Sequence, residues 1–87
     1  MATVILPRSL AALFPDAPRR LEARGATVGD LVTDLDRQVP GLRDRVCMAG
    51  PAIRTHMNVF VDGEPATLET QVPAEATVHV IPAVSGG

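Results

Sequence analysis

Two sets of residues in this chain have the types and spacing to do chemistry: a glycine pair at the end of the sequence and three scattered soft ligands. Residues 78–87 read Val78-His79-Val80-Ile81-Pro82-Ala83-Val84-Ser85-Gly86-Gly87. At an average glycine usage of ~7%, a terminal Gly-Gly pair arises by chance in only ~0.5% of chains. One reading is an accidental, frayed tail, since termini are commonly disordered. The other is a tail that delivers its carboxylate to another protein's active site. From Pro82 to Gly87 such a tail could extend by up to ~20 Å. Two residues without Cβ leave the slimmest possible backbone, able to thread a channel that side chains would block. With an ordinary pKa of ~3.5, the α-carboxyl is an anion at neutral pH and can attack an activated phosphate. No arginine or lysine lies between Ile81 and Gly87 to hold that anion down. The chemistry implied is activation as an acyl-adenylate and passage to a new nucleophile.

The second set is Cys47, His56 and His79. These residue types can bind zinc or form a Cys-His nucleophile pair, but their spacing matches no metal-ligand pattern. Cys47 reads better as a small buried apolar residue or a loop thiol. No metal site is therefore expected, and these residues give little support to an enzyme. Arg19, Arg20 and Arg24 form a basic group that either docks an acidic partner or is simply a solvated strand face.

Composition narrows the classes. Eighty-seven residues make one small domain, which buries roughly 60% of its unfolded surface. A net charge of −2 and only two aromatics, Phe14 and Phe60, argue against nucleic-acid binding. The sequence holds no long apolar run and no signal peptide, so no membrane association and a cytoplasmic location are expected. One cysteine excludes an internal disulfide and agrees with a reducing compartment. All eight basic residues are arginine, so no side-chain amine is open to modification.

The elements that must position the tail follow from periodicity. Residues 3–6 (Thr-Val-Ile-Leu) predict a strand stopped by Pro7. Residues 8–18, with Pro15 and Pro18 around Leu10, Leu13 and Phe14, predict a long loop with one helical turn, its apolar residues tucked onto the core. Residues 20–23 alternate polar and apolar as a half-buried strand does. Thr27 reads as an N-cap with Asp30 as capping-box partner, and Val28, Leu31, Val32, Leu35 and Val39 form one apolar helical stripe. Asp30, Asp34, Asp36, Arg37 and Gln38 take the other side, and Pro40-Gly41 ends the helix. A short turn over residues 42–46 and a loop over residues 47–56 follow, the loop containing Gly50-Pro51. Residues 58–61 are the clearest internal strand, closing on the hairpin dipeptide Asp62-Gly63. Pro65 and Pro73 limit residues 64–72 to an edge. The run Val78-Val80-Ile81 predicts a last, buried strand that Pro82 ends or confines to an edge.

The order is strand, strand, helix, strand, irregular edge, strand. A crossover helix lets the last strand lie parallel beside the first. This is an α+β, β-grasp (ubiquitin-like) arrangement: a mixed sheet of four to five strands with one main helix on one face. Its domain would span residues 1–81, followed by a flexible tail over residues 82–87. That ordering, together with residues 81–87 and the stretch Asn58-Val59-Phe60-Val61-Asp62-Gly63-Glu64, resembles the MoaD/ThiS family of sulfur-carrier proteins. The tail is the specific motif, with Ser85 where family members often carry alanine or threonine.

The resemblance implies that an E1-like adenylating enzyme activates the terminal glycine with ATP and that sulfur is installed as a thiocarboxylate. A biosynthetic enzyme then takes the sulfur. Gly87 would bear it, with Gly86, Ser85 and Val84 as the approach; the chain would be a co-substrate with no catalytic group of its own, and no cofactor would be bound stably. The approach sequence and the longer middle loop resemble carriers that feed a cysteine synthase. The small subunit of molybdopterin synthase, serving its large subunit, is the next reading. A third is a ubiquitin-like modifier attached through Gly87 to target lysines.

One helix covers one sheet face, so the other meets water or a partner. Alternation puts Val59, Val61, Val78 and Val80 on the helix side and Phe60, His79 and Ile81 on the uncovered side. Those three are the expected partner-docking residues, unless the loop over residues 8–18 closes over them as a minor core.

Overall fold

A computed structural model describes residues 1–82. In chain order it contains β1 (Ala2–Ile5), α1 (Arg8–Ala11), β2 (Arg20–Ala23), α2 (Val28–Gln38), α3 (Leu42–Val46), β3 (Cys47–Met48), β4 (Ala52–Ile53), β5 (Met57–Val61), β6 (Glu64–Ala66) and β7 (Thr77–Pro82). Five strands make one sheet in the order β2-β1-β7-β5-β6, and β3 pairs with β4 apart from it. β1 runs parallel to β7, and every other neighbour in the large sheet is antiparallel. A parallel pair cannot be joined by a tight turn. The chain between β1 and β7 spends its length on the helices and the remaining strands. The result is the mixed β-grasp sheet that the element order predicts.

The main helix starts where its cap residues put it. Thr27 Oγ1 accepts from the Asp30 N–H at 3.2 Å, while Asp30 Oδ2 accepts from the Ala26 N–H at 3.3 Å, one residue upstream of a regular capping box. The Val28 and Gly29 N–H groups donate to the carbonyls of Thr70 and Leu68 at 3.0 and 2.9 Å. Three of the donors that a helix start leaves orphaned, on Val28, Gly29 and Asp30, are thus engaged. Gly25 lets the chain pass close beneath this turn: a Cβ there would sit 2.5 Å from Asp30 Cβ. Val28, Leu31, Val32, Leu35 and Val39 are all at most 8% exposed, confirming the stripe. They meet Val4, Leu21, Val59, Val61, Val78 and Val80 from the sheet in a single core.

At the hairpin after β5, Asp62 and Gly63 both have positive φ, +49° and +85°. That is the geometry of a type I′ turn, and it explains the dipeptide. β6 carries Pro65 and lies at a sheet edge, where a missing N–H breaks no ladder.

One expectation changes and another is narrowed. Residues 47–56 are not only a loop: Cys47 pairs with Ile53 and Met48 with Ala52, in a small hairpin turning at Gly50 with φ +137°. Strands of two residues are too short to show alternation. Of the two readings of Pro82 the first holds: Pro82 is the last residue of β7, which lies in the middle of five strands and not at an edge. β1 stops pairing at His79, so proline falls beyond that parallel ladder and interrupts nothing. The sheet extends through Pro82. The loop over residues 8–18 does contain one helical turn, with Leu10 4% exposed in the core.

Candidate docking face and tail exit

The outer sheet face is assembled by cross-strand register. Phe60 on β5 stands opposite His79 on β7, and Asn58 stands opposite Ile81. Directly opposed residues share a face, so these four side chains are brought together. Phe60 and His79 are half-buried and Ile81 is 41% exposed, whereas Val59, Val61, Val78 and Val80 on the other face are 2–6% exposed. The parity read from sequence holds at every one of these positions.

Two members of the face escaped the sequence reading. Ile5 on β1 stands opposite His79, and Pro65 on β6 stands opposite Phe60. The alternation that assigns Val4 and Leu6 to the core also assigns Ile5 outward, so the signal was present on β1. Pro65 needed the β5–β6 register, which the hairpin dipeptide sets. The face is therefore apolar across β1, β7, β5 and β6, with His79 at its centre. Exposed Arg20 and Glu22 bound it on the β2 side, opposite Ile5 and Thr3.

The contacts of the loop over residues 8–18 fall on the helix side. Phe14 packs on the core beside Gly41, and Leu13, Phe14 and Pro18 share a shallow cleft with Leu21 and Val39. Leu21 and Val39 both belong to the inner core. These contacts leave Phe60, His79 and Ile81 facing outward.

β7 carries the chain from this face to Pro82, which pairs with Met57 at the start of β5. The expected reaction site and its approach, Gly87, Gly86, Ser85 and Val84, lie outside the described residues. At the other end of β7, the Asp62 carboxylate accepts from the Thr77 N–H at 2.9 Å and the Asp62 N–H donates to the Thr77 carbonyl at 2.8 Å. This double clasp holds the start of the exit strand against the hairpin turn.

The soft ligands do not converge. Cys47 is buried, and desolvation pushes its thiol pKa up despite the Arg43 and Arg54 charges nearby. A raised pKa makes a poor nucleophile. His56 lies in the segment before β5 and His79 on the outer face. Among the described residues, no group of three or more His, Cys, Asp or Glu side chains could hold a metal ion. None of their helices is long and apolar enough to cross a membrane. Of the three arginines, Arg19 donates from Nε to the Leu6 carbonyl at 3.1 Å, while Arg20 and Arg24 are exposed.

Comparison with known proteins turns this geometry into kinship. The model of the ThiS family matches residues 5–87. The chain belongs to the ThiS family. No curated protein matches it by sequence. Among solved structures, this ThiS-family chain is similar to one described as the BexX/CysO complex of Amycolatopsis orientalis, with a TM-score of 0.89 and 28% identity over 100% of both chains. SAMP1 from Haloferax volcanii superposes with a TM-score of 0.77 and 32% identity, covering 99% of this chain and 98% of that one. CysO of Mycobacterium tuberculosis gives a TM-score of 0.85 at 24% identity, over 97% of this chain and 100% of that one, a likeness of fold. The ThiS-family chain thus has the fold of the ubiquitin-like sulfur carriers and modifiers.

Proposed function

We propose that this ThiS-family chain is a sulfur carrier whose C-terminal glycine is the reacting group. The observation that carries the reading is the family match over residues 5–87, which takes in Gly86 and Gly87. In the proposed sequence, a Gly87 carboxylate oxygen attacks the α-phosphorus of ATP held by an E1-like enzyme, and pyrophosphate leaves. A sulfur nucleophile then adds at the acyl carbon and AMP departs, leaving a thiocarboxylate. The chain supplies no catalytic group and holds no cofactor of its own. Gly86, Ser85 and Val84 form the slim approach, and Phe60, His79 and Ile81 dock the activating enzyme.

Similarity to a structure described as a CysO complex supports delivery of the sulfur to a cysteine-forming enzyme. The complex in that description also supports, in kind, work by docking to a partner enzyme. Intact-protein mass spectrometry after incubation with a cognate adenylating enzyme, ATP and a sulfur donor tests the proposal. The expected result is replacement of one oxygen by sulfur, abolished by removing Gly87. An unchanged mass with an enzyme that visibly releases pyrophosphate would overturn it.

The 32% identity to SAMP1, and the 30% identity to a structure described as the H. volcanii small archaeal modifier protein 1, favour a second reading as a protein modifier. Isopeptide-linked species of higher mass in a cell extract would support it. A free thiocarboxylate supports the carrier.

A further inference from the structure

β2 is one rim of the five-stranded sheet. The Leu6 N–H donates to the Arg19 carbonyl at 2.7 Å, and the register pairs Val4 with Leu21 and Ala2 with Ala23. In an antiparallel ladder alternate residues turn both backbone groups to the partner. Arg19, Leu21 and Ala23 therefore face β1, and Arg20, Glu22 and Arg24 turn their N–H and C=O groups outward. Such a row is a template for another strand.

Two groups of this row are already taken by side chains from α2. Gln38 Nε2 donates to the Glu22 carbonyl at 2.8 Å, and Asp34 Oδ2 accepts from the Arg24 N–H at 3.0 Å. Gln38 Nε2 also donates to Asp34 Oδ2 at 3.2 Å, and Arg37 pairs with Asp34 Oδ1, so the two side chains form one clasp. Glu22 C=O and Arg24 N–H are the two groups that a single residue of a parallel strand would engage. The helix imitates that residue.

The edge is also self-complementary. Let a second copy approach antiparallel with Leu21 on the two-fold axis. Arg20 then faces Glu22 of the second copy, and both are outward-turned residues able to exchange N–H and C=O bonds. The next outward pair sets Arg24 against Pro18, whose carbonyl can accept the Arg24 N–H. Side chains agree with this register: on the outer face each exposed Arg20 meets an exposed Glu22 across the junction. The Glu22 carboxylate accepts from Thr3 Oγ1 at 3.1 Å through Oε1, leaving Oε2 for the arginine. On the inner face Leu21 would meet Leu21, continuing the core layer.

We propose that the β2 edge is a docking edge for a second copy of this chain, held closed by the Asp34–Gln38 clasp. The clasp occupies the Glu22 carbonyl and Arg24 N–H that the paired form requires. Opening it exposes both at once, and two sheets can then join into one. The proposal does not depend on the tail chemistry.

Sedimentation equilibrium on the full chain tests it. Wild type should run at the 9.2 kDa of one chain, and the Asp34→Ala/Gln38→Ala variant at about twice that mass. Adding Glu22→Arg to the variant sets arginine against arginine and should return it to a single chain. Adding Arg20→Glu as well restores opposite charges and should restore the pair. Circular dichroism checks folding, and Gln38→Ala alone, which frees Glu22 C=O and leaves Asp34 on Arg24, carries the test if the double variant does not fold. A folded variant that stays at one-chain mass would overturn the docking edge. So would a pair indifferent to Glu22→Arg. A paired wild type would overturn the closing role of the clasp.

Discussion

β5 and β7 each show two faces to different surroundings, and alternate residues along one backbone meet opposite demands. On the inner face Val59, Val61, Val78 and Val80 are at most 6% exposed beneath α2. On the outer face Phe60 and His79 stand side by side, half-buried, and Ile81 is 41% exposed. The inner residues are β-branched and uniform, as packing against a helix stripe requires. The outer ones are an aromatic, an imidazole and an aliphatic, on the face turned away from the α2 stripe. Uniformity on one side and variety on the other separate the work of holding the fold from the docking proposed for the outer face.

The largest expected effects lie on the inner side. Leu31 is 1% exposed and Leu35 4%, and truncating a buried leucine to alanine costs about 2–5 kcal/mol through lost transfer energy and the cavity left behind. For a domain whose whole stability is about 5–15 kcal/mol, that is a large share. Outer-face truncations such as Asn58→Ala should stay within about 0.5 kcal/mol. Urea melts on the variants measure the contrast. Equal losses on the two faces would break the comparison.

A smaller effect is expected where the chain passes under the helix start. A Cβ on Gly25 would lie 2.5 Å from Asp30 Cβ and 2.8 Å from the Leu31 N. Both neighbours are anchored in the first turn of α2, so Gly25→Ala should force a backbone shift costing about 1–3 kcal/mol. A melt unchanged by this substitution would show that the helix start is free to move.

Acid should act more gently, through the clasp on the β2 edge. The hydrogen bond from Arg37, followed by that from the Arg24 N–H, holds the Asp34 carboxyl below its ordinary value of 3.8. A depressed folded-state pKa contributes stability that is complete above the unfolded value and is lost as pH falls through the folded one. Wild type should therefore lose this increment below about pH 4, and Asp34→Asn should lack it at neutral pH and show a flatter acid limb. The Asp34 pair lies at the protein surface, so the increment is small and screened by salt. Thermal melts between pH 7 and pH 2, at low and high salt, report it.

Much of the fold was readable because long elements repeat their signal. Val28, Leu31, Val32, Leu35 and Val39 mark one helix face over three turns, and the alternation in residues 58–61 and 77–81 sorts the sheet faces without any structure. Asp62-Gly63 sets the register that brings Phe60 opposite Pro65. What escaped was local and cross-chain. The Cys47–Ile53 pairing spans strands of two residues, shorter than a period. Pro82 marks an end, but not whether that end lies at the rim or the middle of a sheet. Asp34 and Gln38 read as solvated charge and amide on a helix face. Only the fold brings them 2.8–3.0 Å from backbone groups of Glu22 and Arg24.

The smallest effect on stability should accompany a large effect on binding. His79 sits at the centre of the outer face, with Ile5 on one side and Phe60 on the other. His79→Glu would place a carboxylate between two apolar neighbours, and a docked partner would have to desolvate it without a counter-charge, a cost of several kcal/mol. Phe60→Ala would remove the largest side chain of the face and with it the apolar area that a partner covers. Neither change touches the α2 stripe or the four inner valines. Both variants should therefore melt close to wild type and bind the adenylating enzyme at least tenfold more weakly, equivalent to about 1.4 kcal/mol. Titration calorimetry on the purified pair reads the affinity, and circular dichroism reads the melt. Unaltered affinity in both variants with normal melting would put the docking surface elsewhere. Weak binding with a collapsed melt would show that the outer face is part of the core after all, and the division between the two faces would fail.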